Sequence, residues 1–503
     1  LTGLTPSQPT KAASDADADT LVVAMPRTVA RLDHLYGGRR QNVIVSLLAD
    51  DGLMYVDPET LDYVPLAAES VRYVDDRTVD FTLRPGLRFH DGSPLTADDV
   101  VYTFAWLLEP AARVRRHKSV VRWLRSVDKT GPLSVRMRLR VPYPMLMRDL
   151  AISYPIRKAG TYGSLAEPAR NRRAQYLTLN GLGPYRVVEF EKNGRVVFER
   201  HDGYPTDGPK GRAAIRRIVI EPIQDARDRV LAVERGTAHL ATGIPAGLAE
   251  PAAADRGLSV LSGPDMRIGF LVMDAVGRTE ADNPFTKLRV RRAVNHAIDR
   301  ETLVRDLVKG GSRPIDAACH PRQFGCPDEV TRYAYDPAMA RRLLAEAGYP
   351  DGFDVTLWAY REPAVADALV ADLNAVGIRA TLNYVDWRRT LQARRQGLIQ
   401  LSFSTWGSGG TADAHAIASF FWPLDAERNF AHDPVVAVHI DRAGSVLVPD
   451  DRRLAYERAF TRIADQAYWA PLFTYTNTFV ASPELFYPMA EDGVLRLFQA
   501  SWQ

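Results

Sequence analysis

The sequence predicts an α/β protein of more than one domain, and three observations carry that prediction. Its 503 residues exceed what one hydrophobic core organises, so two or three domains are expected. Strand and helix patterns alternate along the chain, most cleanly from Asp354 to Thr405. Composition is that of an ordinary globular protein, with 46% hydrophobic and 25% charged residues.

In chain order, Leu21 to Met25 reads as a buried first strand ended by Pro26, and Val43 to Ala49 as a helix. Arg77 to Leu83 points Val79, Phe81 and Leu83 inward as a half-buried strand. The next helix starts with Thr96 as cap and Asp98 and Asp99 in its first turn. Val100, Phe104, Leu107 and Leu108 form its apolar stripe, and Pro110 stops it. Gly183 to Arg200 predicts a hairpin turning at Asn193-Gly194. A strand at Ile215 to Ile220 and a helix at Ala226 to Glu234 follow, then helices at Leu288 to Ile298 and Arg300 to Val308. Asp336-Pro337 opens another helix and Gly348 ends it. The strands Val355 to Trp358, Ile378 to Val385 and Leu398 to Thr405 enclose helices Pro363 to Val376 and Trp387 to Arg395. Such connections imply a mostly parallel sheet, whose ligands sit beyond the carboxyl ends of its strands. The loop Trp406-Gly407-Ser408-Gly409-Gly410-Thr411 lies at one of those ends.

Net charge is +3 with both signs interleaved, which gives no nucleic-acid footprint. No stretch approaches the ~18 apolar residues that span a bilayer. Residues Leu1 to about Thr20 are polar and small and cannot bury enough apolar surface to order themselves, as in an exported chain after signal removal. Cys319 and Cys326 flank a short loop holding Pro321 and Gly325. A disulfide there suggests export; the rival readings are free thiols, or a metal bound through both thiolates and His320, which lacks a second pair of ligands at useful spacing.

Several segments together resemble the family 5 extracellular solute-binding proteins of ABC importers, the dipeptide-, oligopeptide- and nickel-binding group. The most specific runs from Leu83 to Val100, through Arg84-Pro85-Gly86 and Phe89-His90-Asp91-Gly92 to Thr96-Ala97-Asp98-Asp99. Asp57-Pro58-Glu59-Thr60, Gly183-Pro184-Tyr185, Arg292-Ala293-Val294-Asn295-His296-Ala297-Ile298-Asp299-Arg300 and Tyr335-Asp336-Pro337 fit in the same order. The resemblance implies a two-lobed periplasmic-binding-protein fold (type II, cluster C) with an extra inserted domain, hinged on two crossing strands. Behind a tail at 1–19, the first lobe would take residues 20–45, 181–262 and 470–503. The inserted domain would span 46–180 and the second lobe 263–469. It further implies a periplasmic monomer that binds a small-molecule ligand, peptide or peptide-like, with no cofactor, and passes it to a membrane permease.

In the family, a tryptophan-glycine pair at this sheet edge lines the cleft, and peptide binders follow it with an Asp for the ligand's amino terminus. Trp406, Gly407, Ser408 and Gly409 are therefore the ligand-binding candidates, with the acid absent or displaced to Asp413, where helix capping is an equal reading. Tyr36 and Tyr475 are further cleft candidates, each weighed against a core role. Arg388 and Arg389 read as a solvated helix face. His90 beside Asp91 reads as turn structure rather than catalysis. His415, His432 and His439 share no helical face at metal spacing. No phosphate loop, zinc helix motif or serine elbow is present, so no catalytic residue is assigned. The alternatives are a non-peptide solute (an opine, sugar derivative or metal chelate), a sensory receptor, or a hydrolase reusing the fold.

Overall fold

The structure, a computed structural model, describes residues 19–163 and 179–503. The expected N-terminal tail falls, apart from Asp19, outside the described residues. Ten strands join in one sheet. Their spatial order is Ile378–Tyr384, Phe353–Ala359, Leu401–Gly407, Ser259–Met273, Trp469–Ala481, Leu240–Ala241, Thr20–Met25, Arg217–Pro222, Val196–Arg200, Tyr185–Phe190.

Two of these strands organise the rest. Ser259–Met273 and Trp469–Ala481 have 15 and 13 residues, and at about 3.3 Å per residue each is long enough to serve two sheets. They pair antiparallel from Ser259↔Ala481 to Pro264↔Thr476, lose register, and resume from Ile268↔Thr474 to Val272↔Trp469. Asp265, Met266 and Arg267 sit at this break. On one side of it the pair joins Leu240–Ala241, and on the other it joins Leu401–Gly407. These are the two crossing strands that the resemblance implied.

The mostly parallel sheet is corrected to a mixed one. Phe353–Ala359 runs parallel to both Ile378–Tyr384 and Leu401–Gly407, as the strand-helix alternation requires. Thr20–Met25 runs parallel to Arg217–Pro222 and Leu240–Ala241. The crossing strands and the hairpin Tyr185–Phe190/Val196–Arg200 are antiparallel. Helix Pro363–Ala375 covers the sheet with one stripe, burying Val365, Ala366, Leu369 and Leu373. Expected Arg300–Val308 is one α-turn followed by π-turns over Leu303–Val308, ending at Lys309 in positive φ.

Residues of the inserted segment form a four-stranded sheet in the order Ala68–Asp75, Thr78–Leu83, Ser134–Leu139, Leu124–Gly131. Helix Ala97–Leu108 packs on it through Val100, Phe104 and Leu107. At its start the Thr96 N–H donates to the Asp99 carboxylate at 2.8 Å, and the other Asp99 oxygen accepts from the Ala159 N–H at 2.8 Å. His90 contacts the Gly183 carbonyl through Nε2 and accepts from the Gly181 N–H through Nδ1, which makes it a strap between two chain segments.

One apolar core fills the inserted segment, two flank the first-lobe strands, and two lie on the second-lobe strands. A buried ion network locks the first two bodies together. Arg157, 1% exposed, donates to Asp33 at 3.0 Å, to both Asp50 oxygens, and to the Tyr162 hydroxyl. Lys210 pairs with Asp51 at 2.6 Å nearby.

Candidate ligand-binding site

The carboxyl ends of the three parallel second-lobe strands point toward the break in the crossing strands. Tyr360, Arg361 and Glu362 follow the first, Tyr384 ends the second, and Trp406 to Asp413 follow the third. Arg361 donates to the Thr405 hydroxyl at 3.1 Å. Tyr475, on the second crossing strand, donates its hydroxyl to Glu362 and lies 5.9 Å beneath the Arg267 guanidinium. Burial, reinforced by Glu362, pushes the Tyr475 phenol well above its ordinary range, so it is a neutral donor. Arg267 also meets Asp265 at 3.3 Å, and Arg40 from the first lobe meets the same carboxylate at 2.9 Å.

Trp406 is half-buried, stacked on Phe420 at 3.9 Å with its edge to Phe421, and its indole N–H has no partner. Gly407 lies opposite Arg267 in the ladder. The Ser408 N–H donates to the Met266 carbonyl at 3.2 Å while its hydroxyl is buried without a partner. Gly409 is exposed; Gly410 has φ +83°, and a Cβ there would meet Val494 of the first lobe at 2.2 Å. Only glycine permits both the conformation and the approach.

Asp413 is not free for a ligand. It is 7% exposed, accepts from Arg452 at 2.9 Å and Tyr456 at 3.2 Å, and accepts from the His415 N–H at the start of helix His415–Phe421 at 2.8 Å. Tyr36 is placed in the core of the inserted segment rather than on a cleft wall. It is 6% exposed, accepts from the Trp106 indole at 2.8 Å and donates to the Ala112 carbonyl. An aromatic residue with a polar tip satisfies both surroundings, so its sequence position after the first strand could not separate them. Arg388 and Arg389 are exposed. Among the described residues, no group of three or more potential metal ligands is assembled.

Cys319 and Cys326 are disulfide-bonded, and the loop they close buttresses the candidate loop. The Phe324 N–H donates to the Ala412 carbonyl at 2.9 Å and its carbonyl accepts from the Ala414 N–H at 3.0 Å. Gln323 Nε2 donates to the Thr411 carbonyl at 2.9 Å. The cysteine pair thus positions the sheet-edge loop, a role its spacing alone did not reveal.

Facing that loop across the interlobe boundary is a wall that sequence reasoning missed. Arg148 Nε donates to the Thr411 hydroxyl at 2.9 Å, bridging the inserted segment and the second lobe. Behind it lie His34, Arg116, Trp123 and Tyr154. Arg116 Nε and the Trp123 indole nitrogen are buried without a hydrogen-bond partner among the described residues, whereas His34 bonds the Ile152 backbone and the Tyr154 hydroxyl bonds Ser119. Burial, then the charges of Arg116, Arg157 and Arg148, holds His34 well below its ordinary pKa, against a hydrogen bond to the Ile152 backbone, so its imidazole is neutral. Burial pushes the Tyr154 phenol up. Arg116 has no ion pair among the described residues, and burial followed by Arg148 lowers its pKa. On the second lobe the Trp406 indole, the Ser408 hydroxyl and His415 Nδ1 also have no partner among the described residues. Buried polar groups are normally paired, and the arginine and indole groups among these are donors only. Nothing local in the sequence marks Arg116, whose significance lies in what fails to pair with it.

Two lobes joined by crossing strands define a binding protein that encloses a solute. Residues 62–427 match the family described as bacterial extracellular solute-binding proteins, family 5 (middle), and the chain belongs to that family. It is 26% identical to the glutathione-binding protein GsiB of Pectobacterium atrosepticum, across 93% of this chain and 90% of that one. It is 24% identical to heme-binding protein A of Haemophilus influenzae, across 86% and 85%. Among solved structures, the substrate-binding protein CtaP of Listeria monocytogenes superimposes with a TM-score of 0.85 at 18% identity, covering 96% of this chain and 99% of that one.

Proposed function

We propose that this chain captures a small, acidic, peptide-like solute between its lobes and delivers it to the permease of an ABC importer. The carrying observation is the set of buried polar groups with no hydrogen-bond partner among the described residues: Arg116 and Trp123 of the inserted segment, and Trp406, Ser408 and His415 of the second lobe. A bound oxyanion satisfies them and supplies the counter-charge that Arg116 lacks, where an unpaired buried cation is costly. Glutathione and heme, for which two relatives are named, each carry two carboxylates. With Asp413 committed to Arg452, recognition falls on the acidic end of the solute rather than on an α-amine.

The reading includes a monomer that performs no chemistry on its solute, binds no nucleic acid and works outside the cytoplasmic membrane. The separate apolar cores support a division into a first lobe at 20–45, 181–262 and 470–503, an inserted domain at 46–180 and a second lobe at 263–469. Leu35 and Tyr36 pack into the inserted core from the first-lobe segment.

Mass spectrometry of solute released from natively purified protein tests the proposal, followed by calorimetry with that solute. Trp406→Ala is expected to weaken binding by about 1–3 kcal/mol with the fold retained. A released solute without an acidic group, or unchanged affinity in the variant, overturns it.

A further inference from the structure

The aromatic wall that begins at Trp406 continues into a second arginine cluster. Phe420, stacked on Trp406, carries the Arg428 guanidinium 4.1 Å from its ring centroid. Beside it, Tyr360 packs against Trp387 at 4.9 Å, and the Arg394 guanidinium lies 5.5 Å from the Trp387 ring centroid. Arg394 reaches Trp387, seven residues earlier on helix Trp387–Arg395, because helical side chains lean toward the N-terminus.

We propose that Arg394 and Arg428, set against Trp387 and Phe420, form an oxyanion subsite on the second lobe for a carboxylate or phosphate group. This does not depend on which solute fills the interlobe cleft. Arg394 is 5% exposed, its side chain makes no hydrogen bond or ion pair among the described residues, and its Nη1 is buried without a partner there. Arg428 is half-buried and likewise makes no ion pair or hydrogen bond there. The carboxylate acting on both is Glu427, which sits 3.5 Å from Arg395, has one oxygen unpartnered, and has Arg278 bonded to its backbone carbonyl. Four arginines thus surround one acid, leaving excess positive charge. Burial, then the Arg428 charge, draws Arg394 down to about 10, the direction expected of a cation awaiting a counter-ion. Trp387 is 40% exposed, so one side of the cluster is open to solvent.

Planar guanidinium groups over aromatic rings are suited to bidentate recognition of carboxylate and phosphate. Phosphate is the probe. Wild-type protein is titrated with sodium phosphate at constant ionic strength, read by calorimetry and by tryptophan fluorescence with Trp387→Phe as control. Saturable binding is expected, at least tenfold weaker in Arg394→Gln and partly retained in Arg394→Lys. Phosphate acting no differently from chloride, or binding equally to Arg394→Gln, overturns the proposal. Should Arg394→Gln fail to fold, Arg428→Gln carries the test, with at least fivefold weakening expected and unchanged affinity overturning it. Repeating the titration on solute-loaded protein assigns the source of the anion. Phosphate excluded by loading marks the subsite as a seat for the acidic tail of the cleft solute, and phosphate still bound marks it as a seat for a free anion.

Discussion

Replacing Asp413 by Asn separates a structural carboxylate from a ligand-reading one. Asp413 and Arg452 have side chains only 9% exposed each and meet at 2.9 Å, with Tyr456 donating to the same carboxylate. Removing one charge of a buried pair costs about 3–5 kcal/mol, because the other is left uncompensated. Asn keeps an oxygen for the His415 N–H, which places the change near the lower end, about 3 kcal/mol. For a cooperative unit of ~150–250 residues, at ~2–4 °C per kcal/mol, that lowers Tm by roughly 6–12 °C. Calorimetric melting of the solute-free protein measures this, and titration with the released solute measures affinity at a temperature where the variant is folded. Affinity is expected to stay within threefold of wild type. A Tm unchanged within about 2 °C, by the same conversion, together with a tenfold loss of affinity, would refute the argument and return Asp413 to the ligand.

Arg116→Gln is expected to weaken binding of the acidic solute at least tenfold while its melting temperature stays level or rises, since the arginine makes no ion pair among the described residues and burial already opposes its charge; calorimetry and melting check both. Replacing Cys319 and Cys326 together by Ser removes a loop constraint worth about 2–3 kcal/mol in the chain-entropy model. Urea unfolding measures that loss, and weaker solute binding should accompany it because the loop buttresses Thr411 to Ala414. His320 is 5% exposed and held at about 4, first by burial and then by Arg322, with its Nδ1 accepting the Arg322 N–H. Below pH ~6.5 the unfolded chain takes up a proton that the folded chain refuses, so stability falls with pH by up to about 1.4 kcal/mol per unit for this group. That contribution runs from about pH 6.5 down to about 4, and His320→Gln should reduce the slope by one proton equivalent in stability curves taken across the window.

Much of the architecture was legible in the chain because its signals are local. The strand Thr78–Leu83, its turn and the Thr96 start of the next helix lie within about twenty residues, and each is set by alternation, capping or proline. The alternation after Asp354 likewise placed a parallel segment with the Trp406 to Thr411 loop at a carboxyl end. Trp406 to Gly410 could be singled out for that reason. By contrast, Tyr36 and Asp413 had more than one reading that residue type leaves open. Which one holds depends on Trp106 and Ala112 for the first, and on Arg452 and Tyr456 for the second.

The sequence by itself determined the family, the order of elements and the sheet-edge loop, since periodicity, caps and turn residues act over a few positions. The tertiary structure decided which polar groups are satisfied. Arg157 finds Asp33 and Asp50 from more than a hundred residues away, whereas Arg116 and Arg394 make no ion pair among the described residues. Pairing at such separations is fixed by packing, and the cost of a buried charge depends on its neighbours in space. The donors left open by that packing are what the proposal of an acidic solute rests on.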